Sequence, residues 1–282
     1  MTNNLKTAVL LAGLGGLIVT LGGLIGGRGA LVFSFFIALA MVGGSYWFSD
    51  KLAIKAAHAR PLEDNDVPWL RATVAELAQQ ANIPMPKLYI SPEMQPNAFA
   101  TGRNPKHASV AVTEGILKVL DQEELRAVLA HELGHVKNRD ILLTSVAAVF
   151  GTAISMIANF LPFSSSDREN SNPIITIALA ITAPLAAGIM QMALSRSREF
   201  QADATGADII NDGEPLARAL MKIDAYAQQV PMDIDPAQAS AYIINPLSGF
   251  NMSNMFRTHP TTEDRVARLR TMRFQAQHRD IP

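Results

Sequence analysis

Ala130-His131-Glu132-Leu133-Gly134-His135-Val136, set inside the run Asp121 to Asp140, is the stretch on which the reading of this chain turns. Asp121, followed three residues on by Glu124, reads as a capping pair at a helix start. Leu125, Val128, Leu129, Leu133 and Val136 then recur at helical spacing, so the run is expected to be a helix with one apolar face. Positions four apart on a helix share a face one turn apart, which brings the imidazoles of His131 and His135 toward a common point. Two imidazoles so placed suit one zinc ion.

Glu132 stands beside them, and a carboxylate there suits a general base working on water activated by a metal, the chemistry of HExxH motifs in zinc proteases. A third ligand has to come from elsewhere. The positions where one extended form of the motif carries Gly and His hold Asn138 and Ile141 instead. Ser195-Arg-Ser-Arg-Glu-Phe-Gln-Ala-Asp203 offers it: Glu199 and Asp203 are again four apart, so Glu199 is expected to bind zinc while Asp203 accepts a hydrogen bond from a ligating imidazole. His131, His135 and Glu199 then leave one position of a single Zn2+ open, as a catalytic site requires.

Composition bounds the rest. The chain is 49% hydrophobic and only 17% charged, with 24 basic against 25 acidic residues, so a nucleic-acid role has no support. Cysteine is absent, which leaves imidazole and carboxylate as the metal ligands.

Thr7 to Gly27 and Ala30 to Phe48 are uncharged but for Arg28 between them, and each is about long enough to cross a bilayer. A second apolar run follows the first almost at once, which favours a membrane hairpin (residues 1–48) over a cleaved signal peptide. Gly22 with Gly26, or Gly23 with Gly27, forms a small-xxx-small pair for close helix approach, and Tyr46 and Trp47 fit an interfacial aromatic belt. From residue 49 charges arrive densely, opening the first part of a catalytic domain (49–140). Trp69 to Gln80 reads as an amphipathic helix through Leu70, Val74 and Leu77. Lys87 to Ser91, Asn97 to Thr101 and Ala108 to Val112 read as short strands of a small sheet. The prolines at 92, 96 and 105 make at least one of them an edge strand. Asn97, Ala98, Phe99 and Ala100 are then either an ordinary sheet edge or a substrate-binding strand that pairs with an extended peptide.

Ile141 to Phe163 and Pro173 to Leu194 are uncharged, of spanning length and joined by a short polar link, so 141–194 is expected to be a second membrane hairpin in preference to buried helices of a soluble core. His135 lies six residues before the third span and Glu199 five after the fourth, which puts both at about the same height outside the bilayer and close to its surface. Lys51, Lys55, Arg60, Lys137, Arg139, Arg196 and Arg198 flank the spans on that side, so the positive-inside rule turns it toward the cytoplasm, with Arg28 dissenting. The remainder (195–282) carries a helix through Leu216, Leu220 and Ile223 and a last helix, Thr261 to Gln275, with Asp264 as capping partner and Val266 and Leu269 inward. His259, just before it, is either a structural turn residue or a donor to the oxyanion, with Arg265 to orient it.

Taken together, Asn97-Ala-Phe-Ala-Thr-Gly102, Ala130-His-Glu-Leu-Gly-His135, Ser195 to Asp203, Thr258-His-Pro260 and two apolar hairpins resemble the HtpX-type membrane zinc metalloproteases, of the gluzincin class and related to the CAAX prenyl endopeptidases. The resemblance covers nearly the whole chain in order. It implies an α+β fold: a mainly helical integral membrane protein with four transmembrane helices and a zincin-like metalloprotease domain carrying a small β-sheet. It also implies cleavage of misfolded membrane proteins in quality control at the cytoplasmic face of a bacterial inner membrane. By position it makes His131, His135 and Glu199 zinc ligands, Glu132 the base, Asp203 a supporting carboxylate and His259 catalytic. Two rivals are a prenyl-protein endopeptidase, for which four spans look few, and a zinc-stabilised scaffold, which has no use for Glu132.

Overall fold

The computed structural model describes residues 3–146, 196–229, 243 and 260–279. Helix α1 (Asn3–Ala56) is helical along its length but doubles back on itself. A straight helix would hold Gly15 and Val42 about 40 Å apart, whereas a Cβ built on Gly15 comes within 3.8 Å of the Val42 side chain. The reversal is at Gly27, whose φ of +65° suits glycine. The arms meet at Gly22, where an added Cβ would fall 1.7 Å from Ser34 Oγ, so only glycine fits. Gly27–Ala56 is long and apolar enough to cross a membrane, and Thr7–Thr20 is a shorter apolar stretch. Val32, Phe33, Phe36 and Leu39 on the second arm are exposed, as a lipid-facing surface requires. Residues 141–146 open the third expected span as helix, and Leu143 and Val146 pack on Leu14 of α1. The rest of that span, the fourth span and His259 lie outside the described residues.

The catalytic domain is a four-stranded sheet covered by helices. Strands β1 (Arg60–Pro61), β2 (Lys87–Ser91), β3 (Ala98–Gly102) and β4 (Ala108–Thr113) lie in the order β1-β2-β4-β3. The β2–β4 pair is parallel and the other two pairs antiparallel. Three of these strands match the sequence reading to within a residue; two-residue β1 was not expected. β3, rich in alanine and flanked by proline breaks, is an edge of the sheet.

Helix α2 (Pro68–Ala81) buries Leu70, Val74 and Leu77 as its periodicity demands, and stops where Asn82 takes a left-handed conformation (φ 56°). Short α3 (Glu114–Val119) is capped by Thr113, which accepts from the Ile116 N–H. The expected capping box opens α4 (Gln122–Lys137): Asp121 Oδ1 accepts from Glu124 N–H at 2.9 Å, and Glu124 Oε2 accepts from Asp121 N–H at 3.1 Å. Helices α5 (Arg196–Ile210), α6 (Glu214–Gln229) and α7 (Thr262–Arg279) complete the described part. In α6, Leu216, Leu220 and Ile223 are buried, and in α7 Val266 and Leu269 are, with Thr261 accepting from Asp264 N–H at 3.1 Å. Each fully buried leucine or isoleucine here contributes roughly 1.5–3 kcal/mol of transfer free energy. One contiguous core therefore fixes α4 against the sheet, α2, α5 and α6.

Candidate active site

Two glycines let α4 and α5 touch. A Cβ on Gly206 would lie 2.8 Å from His131 N, and one on Gly134 would lie 3.0 Å from Ala202 O, so each helix presents bare backbone to the other. Glu199, Asp203 and Gly206 recur at i, i+4 and i+7 along one stripe of α5, and that stripe faces the imidazoles of α4. Glu199 Oε2 is 3.8 Å from His131 Nε2, and Glu199 Oε1 is 3.7 Å from His135 Nε2. The two Nε2 atoms are 3.1 Å apart, with the rings at 89°. All three ligand atoms lie within 4.8 Å of one another.

This donor set fits a zinc ion on two counts. Tetrahedral coordination at ~2.0–2.2 Å holds ligand atoms about 3.3–3.6 Å apart, and the observed separations bracket that range. Charge gives the second. Glu132, Asp140, Glu199 and Asp203 are buried, with Arg198 and Arg265 as the buried guanidiniums around them. Among the described residues the buried carboxylates around the imidazoles outnumber the guanidiniums, a surplus of negative charge that suits a divalent cation.

Each imidazole is backed by a carboxylate. His131 Nδ1 is 2.9 Å from Asp203 Oδ1, an ion-pair distance whose alignment falls short of a linear N–H···O bond. Burial would push the Asp203 pKa up, but Arg265 and His131 outweigh it and hold the carboxyl well below the usual range. His135 Nδ1 lies 3.1 Å from Asp140 Oδ2. The sequence reading did not single out Asp140. Backbone geometry at the end of α4 puts it there: Arg139 N–H donates to Val136 O at 3.1 Å and Asp140 N–H to His135 O at 3.2 Å, a Schellman closure around Arg139 in the left-handed region (φ 58°). Burial would lower the His135 pKa, yet Asp140 and Glu199 raise it to about 10 in the metal-free protein.

Arg265 has partners of its own among the described residues. It is among the largest fully buried side chains and clasps Asp203 with two bonds, Nε to Oδ2 at 2.9 Å and Nη2 to Oδ1 at 2.7 Å. Its Nη1 donates to Ile243 O at 2.7 Å and stands 3.8 Å from Glu199 Oε2. The guanidinium therefore serves the Asp203 and Glu199 carboxylates, while the turn at His259 that it was expected to orient lies outside the described residues.

Glu132 and the edge strand complete the arrangement. Thr113 N–H donates to Asn97 O at 3.0 Å, and antiparallel bonding alternates, so Ala98 and Ala100 turn their N–H and C=O groups away from β4. The Ala100 N–H donates to Glu132 Oε2 at 2.8 Å. Burial pushes the Glu132 pKa up, with the two imidazoles opposing and Glu199 adding to the rise. Asn97 is buried, and its side-chain oxygen accepts from Ile243 N–H at 3.1 Å.

The sequence profile described as Peptidase family M48 matches residues 64–273. The chain belongs to that family. Two M48 relatives, the Protease HtpX homologs of Burkholderia thailandensis and Burkholderia ambifaria, are each 49% identical over 278 residues, covering 96% of this chain and 98% of theirs. The crystal structure of S. mikatae Ste24p shares the fold, with a TM-score of 0.53 at 21% identity, across 94% of this chain and 65% of that one. Membership makes the protein a membrane metalloprotease of the zinc-dependent M48 family, and an inner-membrane setting is consistent with it.

Proposed function

We propose that this M48 chain is a zinc endopeptidase that cleaves membrane proteins at the cytoplasmic face of a bacterial inner membrane, as part of their quality control. His131, His135 and Glu199 hold the single zinc ion, Asp203 and Asp140 orient the two imidazoles, and Glu132 is the base. The observation that carries the reading is the bond from the edge-strand Ala100 N–H to Glu132 Oε2. The bond sets Glu132, which in this reading neither binds metal nor backs an imidazole, against the edge strand, and so supports its role beside an extended peptide.

Zinc bound there would polarise the scissile carbonyl and acidify water. Glu132 then takes one proton from the attacking water as its oxygen bonds to the carbonyl carbon. It returns that proton to the amide nitrogen as the C–N bond breaks, so the carboxylate is regenerated. Its burial makes this carboxylate a stronger base than one in water. In this reading an extended substrate pairs along the edge strand β3, as strand addition requires. His259 enters as a candidate donor to the oxyanion on the sequence argument alone.

Glu132→Gln removes the base and keeps every proposed ligand. The variant should retain zinc, measured by mass spectrometry, while cleavage of a membrane-protein substrate is abolished. Near-normal cleavage would refute the role of Glu132. Proteomics of cells carrying wild type or this variant would name the substrates.

A further inference from the structure

The second arm of α1 ends in an aromatic and basic cluster. Its apolar surface gives way at Tyr46, Trp47 and Phe48, and Lys51 and Lys55 follow on the Trp47 side of the helix at i+4 and i+8. The Arg103 guanidinium lies over the Trp47 ring, 4.8 Å from its centroid, and Lys51 Nζ stands 5.6 Å from the Phe48 centroid. Trp47, Phe48, Lys51 and Lys55 are exposed. Arg103 belongs to the β3–β4 connection, directly after Gly102, the last residue of β3. Among the described residues, no carboxylate pairs with Lys51, Lys55 or Arg103, although Arg60, Arg71, Arg126, Arg218 and Arg270 of the same domain each have an acidic partner. Asp50 is the one acidic neighbour on this part of α1 and pairs with none of them.

We infer that Lys51, Lys55 and Arg103 form a binding surface for anionic phospholipid headgroups, with Trp47 and Phe48 seated at the level of the acyl-chain boundary. The inference rests on the reading of Gly27–Ala56 as a membrane span. Charge complementarity selects the occupant. A tryptophan that closes an apolar span sits at the headgroup level of a bilayer. Cations around it face the phosphate layer, whose anionic lipids attract basic residues near the surface. Arg103 is held there by the ring itself, a cation–π contact that leaves its outer N–H groups free to meet a phosphate. Because β3 runs straight into Arg103, the headgroup contact also sets the height of the edge strand above the membrane. A substrate leaving the bilayer then meets β3 at a fixed distance from the surface.

The test uses Trp47 as its own probe, in the full-length protein with Trp69→Phe to remove the other tryptophan. Vesicles are prepared with brominated acyl chains on either phosphatidylglycerol or phosphatidylcholine, at equal mole fraction in a mixed bilayer. Brominated phosphatidylglycerol should quench Trp47 more strongly, reporting an enrichment of anionic lipid of roughly fivefold, the effect of one engaged basic group. The excess should vanish in Lys51→Gln/Lys55→Gln/Arg103→Gln and fall part-way in Lys51→Gln/Lys55→Gln, which leaves the β3–β4 connection unaltered. Equal quenching by both lipids in the unsubstituted protein, or an excess that survives the triple substitution, would overturn the inference. No quenching by either lipid would remove the membrane span and the inference with it. Proteolysis is not the readout, so an inactive preparation does not confuse the result.

Discussion

Gly206→Ala is the sharpest test of how the metal site is assembled. The added methyl would lie 2.8 Å from His131 N and 2.9 Å from His131 Cα, both backbone atoms of a helix locked into the core. To restore an ordinary contact of 3.4 Å, α5 must back away from α4 by about 0.6 Å. Metal–ligand distances tolerate only about 0.2 Å, so Glu199 cannot follow the imidazoles to the same ion. Stability changes far less. Alanine gains ~1 kcal/mol over glycine in a helix interior, while overpacking costs ~1–3 kcal/mol. The net loss is ~0–2 kcal/mol, at most about 8 °C in Tm for a domain of this size. Zinc affinity, measured by competition with a chromophoric chelator, should fall ~10–100-fold, and proteolysis with it. Gly134→Ala, whose methyl meets Ala202 O at 3.0 Å, needs a smaller retreat and should fall between Gly206→Ala and wild type. Wild-type zinc affinity in a folded Gly206→Ala protein would show that the helix crossing does not set the ligand geometry.

Asp140→Asn should lower zinc affinity ~10–100-fold through the orientation of His135, by the same competition assay; unchanged affinity would remove Asp140 from the site. Zinc binding should be pH-dependent. The metal-free His135 keeps its proton up to about pH 10 and zinc requires the neutral ring. Apparent affinity should therefore rise about tenfold per pH unit from pH 6 to 9, and a flat titration would refute the proton competition. Topology is testable because the chain has no cysteine. Ser165→Cys should react with a membrane-impermeant thiol reagent in intact cells and Ser253→Cys only after lysis; labelling of both from outside would reverse the orientation, and of neither before lysis would deny that 141–194 crosses the bilayer.

Local chemistry made much of this legible in advance. The capping box at Asp121, the apolar stripes of α2, α4, α6 and α7 and the pairing of Glu199 with Asp203 all depend on residues within a few positions of one another, and periodicity reports those. Asp140 escaped because its approach to His135 depends on a left-handed turn at Arg139, where the usual signal, glycine, is missing. The clasp of Arg265 on Asp203 left no local signal, because the two are 62 residues apart and only the packing of α7 on α5 brings them together. Gly134 and Gly206 are ordinary residues in a sequence; their meaning appears only where two helices cross. β1 was too short to carry a pattern.

Ile243 is held at both ends of one peptide unit pair: its N–H by Asn97 Oδ1 and its C=O by Arg265 Nη1, and Arg265 in turn grips Asp203, which backs His131. Such a chain is a thermodynamic linkage, and linkage is reciprocal. Whatever factor the docking of Ile243 contributes to the grip on the metal, the metal returns to the docking of Ile243. Through this chain of bonds a metal held by α4 and α5 would be coupled to a residue it does not touch.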